Sequence, residues 1–151
     1  MEDSLEISED KVEELVHEAD EVRKNTFSTF TGNSVGAAIL TDSGNIFSAP
    51  YFESVIQGLG TCAERNAVGS AVAEGEYEFK AVAVVGESED PITPCGACRQ
   101  ILAEFAEVAQ HDITIIMRGQ SGETRIESLE SMIPDSFGAE EAGADLSEYR
   151  N

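Results

Sequence analysis

Positive charge is scarce in this sequence: 9 Lys and Arg stand against 30 Asp and Glu, a formal net charge of -21 over 151 residues. Nucleic-acid binding needs a basic stripe that displaces counterions from phosphates, so long DNA or RNA is excluded as a partner. No run of about 18 apolar residues occurs, which excludes a membrane-spanning helix. The opening MEDSLEISED is acidic where a secretory signal is basic and then apolar. The expectation is a cytoplasmic protein that does not bind membranes. Excess negative charge raises solubility but repels itself, and with lysine only at Lys11, Lys24 and Lys80 the composition points to a chain suited to a saline cytoplasm. Three cysteines are an odd number, which argues against a complete disulfide framework and for metal binding or a reactive thiol. A lone cysteine is more often a small buried hydrophobe, so position decides between these readings.

The length suits one domain that buries about two thirds of its unfolded surface. From Ser8 to about Asn25, Val12, Leu15, Val16, Ala19 and Val22 recur at helical spacing, with Ser8 as N-cap and Glu9 and Asp10 in the first turn. The acids of this helix form a solvated face, and His17 reads as a surface or packing residue. SVGAAILT reads as a strand, DSGN (42–45) as a hairpin turn and IFSAPYF as a second strand, with Pro50 marking an edge or an irregular end. A helix from about Thr61 to Ala73 stops at Gly75. FKAVAVVG (79–86) and DITIIMR (112–118) are apolar enough to be buried on both faces, with a helix from about Ala97 to Val108 between them. A short edge strand around Glu123 to Ile126 and a short helix at Ile126 to Ile133 follow. This order predicts an α/β fold, a three-layer α/β/α sandwich around one mixed five-stranded sheet, spanning residues 1–138. Residues 139–151 form an acidic, small-residue tail, mobile unless a partner surface holds it. The two helices that begin at cysteines would follow successive core strands and start on the same side of the sheet, which brings the cysteines together.

Those cysteines carry the chemistry. Cys95 and Cys98 stand at Cys-x-x-Cys spacing in TPCGACRQILAEF, where a loop enters a helix, and Cys62 holds the corresponding place 33 positions earlier in LGTCAERNAVGSAVAEG. Three thiolates from two helix N-termini supply three corners of a tetrahedron, and catalytic zinc keeps its fourth position for water. Neither histidine, His17 nor His111, lies near the cluster in sequence. Helix N-termini favour anionic sulfur through free N–H groups and the dipole. In a continuous helix Cys62 and Glu64 diverge by about 200 degrees, but first-turn side chains lean toward the N-terminal end and both reach the space beyond it. Three thiolates overcompensate a divalent ion, so a neighbouring cation is needed to keep the bound water acidic. Arg65 is the candidate and Arg99, beside Cys98, the runner-up. Cys-Ala-Glu together with Pro-Cys-x-x-Cys matches the arrangement of zinc deaminases, in which a glutamate is general acid and base.

On these residues the sequence resembles the cytidine deaminase family, in its short three-cysteine branch that forms homotetramers, across nearly the whole chain. The markers are VGAAILTDSG (35–44), TCAERNA (61–67), TPCGACRQ (93–100) and MIPDSFG (132–138). The resemblance implies a Zn2+ ion on Cys62, Cys95 and Cys98, with Glu64 as proton shuttle. It also implies that the Ala63 N–H holds the base carbonyl, the Thr93 carbonyl accepts from the exocyclic amine, Glu53 binds the sugar and Phe137 reaches a neighbouring subunit. The activity implied is deamination of cytidine or deoxycytidine, with a small cytosine nucleoside as partner. Two positions depart from the pattern: Tyr51 stands where the family has asparagine, and Asn33 where it has a phenylalanine on the pyrimidine. Either Phe27 or Phe30 fills the ring contact, or the sugar or base is unusual. Blasticidin S deaminases also lack that asparagine and have a similar GSAV (69–72), whereas Arg65 and CGACRQ follow the cytidine deaminase pattern. Rival readings are a non-catalytic zinc or redox module and an inactive paralogue; a purely structural site has no need of Glu64.

Overall fold

The computed structural model describes residues 7–150; residues 1–6, most of the acidic opening segment, and Asn151 lie outside the described part. In chain order the elements are α1 (Glu9–Arg23), β1 (Gly36–Thr41), β2 (Ile46–Pro50), α2 (Ala63–Ala73), β3 (Phe79–Val85), α3 (Gly96–Ala109), β4 (Thr114–Arg118), β5 (Thr124–Ser128) and α4 (Leu129–Met132), followed by a 3-10 turn at Ser147–Tyr149. The strands form one mixed sheet in the order β2-β1-β3-β4-β5.

Side-chain alternation builds the layers. Ala38 and Leu40 of β1, Ala81, Ala83 and Val85 of β3 and Ile116 of β4 point to one face, where they pack on Val12, Leu15, Val16 and Ala19 of α1. Ala37 and Ile39, Val82 and Val84, Ile115 and Met117 point to the other, against Ala63, Ala67, Val68 and Ala71 of α2, Leu102 of α3 and Leu129 of α4. Helices on both faces explain why β1, β3 and β4 read as near-continuous apolar runs. α1 starts where Ser8 Oγ accepts the Lys11 N–H at 3.2 Å. Its far end lies so close to β1 that a Cβ on Gly36 would stand 2.0 Å from the Ala19 carbonyl oxygen.

The expectation that both cysteine-led helices follow core strands needs one correction. β2 is the edge strand, and β1 lies between it and β3. β1 is antiparallel to both neighbours, so β2 and β3 run parallel to each other and end at the same rim of the sheet. α2 and α3 therefore start side by side, across the width of β1. The last helix is shorter than expected, because β5 runs on to Ser128, whose hydroxyl then caps α4 by accepting the Ser131 N–H at 3.1 Å.

The polar tail finds its surface on its own chain. The Glu107 carboxylate accepts the N–H groups of Ala139 (2.6 Å) and Glu140 (3.4 Å), and Arg150 donates to the carbonyls of Val108 (2.9 Å) and Glu107 (2.8 Å) at the end of α3. Tyr149 meets Tyr77 edge to face, with ring centres 5.1 Å apart. A cation on the last carbonyls of a helix is favoured by their partial negative charge.

Candidate metal centre and active site

Cys62 and Cys95 are the N-cap residues of α2 and α3, both in extended backbone, and neither sulfur caps its own helix. Each thiol is left to lean out beyond the helix start. Cys98 follows one turn into α3 and is buried, Cys62 is partly covered and Cys95 is exposed. The Cys62 and Cys95 sulfurs are 3.7 Å apart, the Cys95 and Cys98 sulfurs 3.5 Å, and all three lie within 4.8 Å of one another. A tetrahedral zinc with Zn–S bonds of about 2.3 Å places neighbouring sulfurs about 3.8 Å apart. The two separations that involve Cys95 match that edge, and the third sulfur pair lies within the 4.8 Å that bounds the cluster. Among the described residues it is the one group of His, Cys, Asp and Glu side chains able to hold a metal ion.

The surroundings prepare that donor set. Hydrogen bonding from the Cys98 thiol, followed by the Arg65 guanidinium, pulls the Cys62 thiol down to about 5, while Cys98, the donor of the pair, is pushed up. Arg65 reaches the Cys62 sulfur with a terminal nitrogen at 3.6 Å. Arg99 does something else: its Nε donates to the Pro94 carbonyl at 2.8 Å and its other arm to the Met132 carbonyl at 3.0 Å. It ties the loop before Cys95 to the C-terminal arm, and the thiols are left to Arg65. Glu64, in the first turn of α2, is 4% exposed, and burial pushes its carboxyl up to about 7.

Two cavities meet at this point. The inner one, about 210 Å³, is lined by Asn33, Val35, Tyr51, Cys62, Ala63, Glu64, Ile92, Thr93 and Cys95. The outer one, about 450 Å³, is walled by Phe30, Thr31, Glu53, Val55 and Ile56 and shares Tyr51 and Cys62 with the inner. A flat polar ring of one-ring size fits the inner cavity beside the thiols and the buried carboxyl.

The sequence of residues 9–122 matches the model of the cytidine and deoxycytidylate deaminase zinc-binding region. The chain belongs to that family. A cytidine deaminase of Sporosarcina psychrophila is 35% identical over 130 residues, covering 86% of this chain and 93% of the relative. A blasticidin-S deaminase of Bacillus cereus is 36% identical over 103 residues, 63% of this chain and 72% of the relative. The crystal structure of cytidine deaminase from Burkholderia pseudomallei superposes with a TM-score of 0.78 at 34% identity, covering 87% of this chain and all (100%) of that one. The mixed five-stranded α/β sheet is the fold expected for the family, and the three-sulfur cluster fits its zinc.

Of the residues singled out in the sequence, Asn33, Tyr51, Ala63, Glu64 and Thr93 come together on the inner cavity with Cys62 and Cys95. Glu53 lines the outer one. Phe137 lines neither; it is 62% exposed, on an arm held where Gln100 donates to its carbonyl at 2.8 Å. Sequence reasoning missed Ile92, Thr31 and Gln100. Ile92 sits in PITPC (91–95), readable only as a break; Thr31 acts through the Glu53 carboxylate and Gln100 through the Phe137 carbonyl, both far away in the chain.

Proposed function

We propose that this chain hydrolyses the exocyclic amine of cytosine nucleosides, cytidine and deoxycytidine, giving the uracil nucleoside and ammonia. The observation that carries the reading is Glu64: a buried carboxyl lining the same small cavity as Cys62 and Cys95, whose sulfurs form one metal-sized cluster with that of Cys98. Zinc held by Cys62, Cys95 and Cys98 would supply a Lewis acid that makes water nucleophilic near neutral pH. The chain does the rest. Ala63 and Thr93 present a backbone N–H and a carbonyl to the edge of the ring, fixing which carbon faces the sulfurs. Glu64 takes a proton from the attacking water and delivers it to the ring nitrogen N3; as the C4–O bond forms, a second proton passes to the amine. The C4–N bond then breaks and ammonia leaves. A carboxyl whose buried setting holds it near neutrality can both accept and donate at working pH, which suits this double duty. Arg65 offsets the surplus negative charge of three thiolates. Tyr51 and Asn33 complete the cavity wall, and Glu53 bounds its outer neighbour.

Finer assignments belong to the same proposal. Phe27, Phe30, Val55, Ile56, Leu59 and Phe137 are large apolar side chains left exposed by one chain, which supports assembly into the expected homotetramer. Three free cysteines support a reducing cytoplasm, and no described helix is long and apolar enough to cross a membrane. Nucleoside salvage is the role this chemistry serves. Tyr51 in place of asparagine favours a second reading, deamination of a cytosine nucleoside with a modified sugar such as blasticidin S. Loss of cytidine absorbance, measured with and without a zinc chelator and side by side with deoxycytidine and blasticidin S, tests the activity and ranks the substrates. Zinc-loaded protein that leaves all three intact would refute it.

A further inference from the structure

Glu53 is the one carboxylate lining the outer cavity, and its oxygens are filled from within the chain. Oε1 accepts the N–H groups of Phe30 and of Thr31, the latter at 2.9 Å. Oε2 accepts the Thr31 hydroxyl at 3.0 Å and the Tyr51 hydroxyl at 2.6 Å. A carboxylate offers about four lone-pair positions, and all four are taken. The side chain is buried, and the Tyr51 hydroxyl, followed by the Phe30 and Thr31 donors, pulls it down to about 2 against the cost of burial. The network continues inward: the Thr31 hydroxyl also accepts the Asn33 N–H at 3.1 Å, and Asn33 lines the inner cavity. The backbones agree, since Phe27 donates to the Tyr51 carbonyl at 3.2 Å and Glu53 donates to the Phe27 carbonyl at 2.9 Å.

We propose that Glu53 is an internal anchor for the loop from Phe27 to Asn33, and that Tyr51, by holding its last acceptor position, is a specificity residue that leaves sugar hydroxyls unread at this carboxylate. The inference rests on the reading of the inner cavity as a cytosine site. Tyr51 lines both cavities, so a sugar attached to a base beside Glu64 must pass it. A sugar hydroxyl reaches Glu53 only by displacing a donor of the chain, which trades one hydrogen bond for another with little net gain. The rest of the outer wall includes Phe30, Val55 and Ile56, which accept a sugar with or without hydroxyls. The substrate class is therefore cytosine nucleosides selected by base and shape, with deoxygenated sugars tolerated.

The test compares kcat/KM for cytidine and 2′,3′-dideoxycytidine on zinc-loaded protein, with amide hydrogen exchange at Phe30 and Thr31 measured separately. The expected ratio is within fivefold for the unaltered protein, and at least tenfold higher for Tyr51→Phe, which keeps the ring and frees one acceptor position. A larger ratio in the unaltered protein, or an unchanged ratio in Tyr51→Phe, overturns the specificity role. Exchange at both amides should be protected, and at least tenfold faster in Glu53→Leu. Unprotected amides in the unaltered protein, or protection kept in Glu53→Leu, overturn the anchor. If neither nucleoside is converted, the cytosine reading fails, and the exchange result still decides the anchor.

Discussion

Replacing Glu64 by glutamine is the sharpest perturbation of the proposed chemistry, because it changes proton transfer and little else. The side chain is 4% exposed in the first turn of α2 and its volume is conserved, so no cavity opens behind it. A neutral amide is also easier to bury than an ionised carboxylate, so the unfolding temperature should not fall. The sulfurs belong to other residues, and zinc should stay at one ion per chain. What disappears is the proton path at two positions, ring N3 and the leaving amine. General acid–base catalysis by one positioned group contributes about 10²- to 10⁴-fold. A residue that serves both transfers belongs at the top of that range, so kcat/KM should fall by about 10⁴, or roughly 5 kcal/mol of transition-state stabilisation. Glu64→Asp keeps the proton but withdraws it by about one methylene, and a misplacement near 1 Å costs about 10². The assay is ultraviolet loss of cytidine, paired with metal analysis and thermal unfolding on the same samples. Glutamine protein with full zinc, native stability and more than a hundredth of normal activity would refute the assignment.

Other consequences are as direct. Arg65→Gln should keep zinc but move the acidic limb of the pH–rate profile upward, since the cation 3.6 Å from the Cys62 sulfur is lost; an unmoved limb would transfer the charge-balancing role elsewhere. Partial burial lowers the pKa of His111, but Asp42 at 2.8 Å, the Asp112 carbonyl and the Asp42 and Glu78 charges outweigh it and leave His111 raised. A raised histidine stabilises the fold below its ordinary pKa near 6.5 and loses that contribution as pH climbs through the folded value. Urea midpoints should therefore show wild type ahead of Asp42→Asn at pH 6 by more than at pH 8, and an equal gap would be a contradiction. Gly36→Ala puts a Cβ 2.0 Å from the Ala19 carbonyl, so α1 must shift and stability should drop by about 1–3 kcal/mol in the same assay. With a net charge of -21, raising salt from 0.1 M to 1 M shortens the Debye length from about 10 Å to about 3 Å, and the denaturation midpoint should rise; a flat or falling midpoint removes the saline adaptation.

The legible part of this protein was the part in which one residue faces one kind of neighbour. α1 declares itself through Val12, Leu15, Val16 and Ala19, which all meet the sheet, and the strands through runs buried on both faces. The sulfur trio is readable because Cys62 and Cys95 sit at loop-to-helix junctions and Cys98 one turn further on, where both local chemistry and spacing point to a metal. Less legible were residues whose partner is a backbone atom distant in the chain. Nothing near Arg99 in sequence reveals the Met132 carbonyl that holds it, and nothing in the small-residue tail reveals the Glu107 carboxylate waiting on α3. Tyr51 was visible only as a departure. Its meaning depends on Glu53 and Thr31 converging on it, which requires the loop and the edge strand to be folded first.

The topology also explains why the sulfur cluster keeps to pattern while the cavity wall departs from it at Tyr51 and Asn33. Cys62 and Cys95 hold their places because β2 and β3, both antiparallel to β1, deliver α2 and α3 to the same rim of the sheet. Any change that moved one helix start by an ångström would spoil the sulfur spacing, so the centre is constrained by the whole sheet. The outer cavity instead hangs on the loop from Phe27 to Asn33, joined to the edge by short backbone bridges and one carboxylate. Tyr51, the residue that follows β2, closes its hydroxyl on Glu53, the same carboxylate that holds the loop, so the departure is satisfied internally and the strands behind it keep their pairing. Chemistry is thus set by the core of the sheet, and substrate preference by Tyr51 and Glu53 beyond its edge strand and the loop they hold.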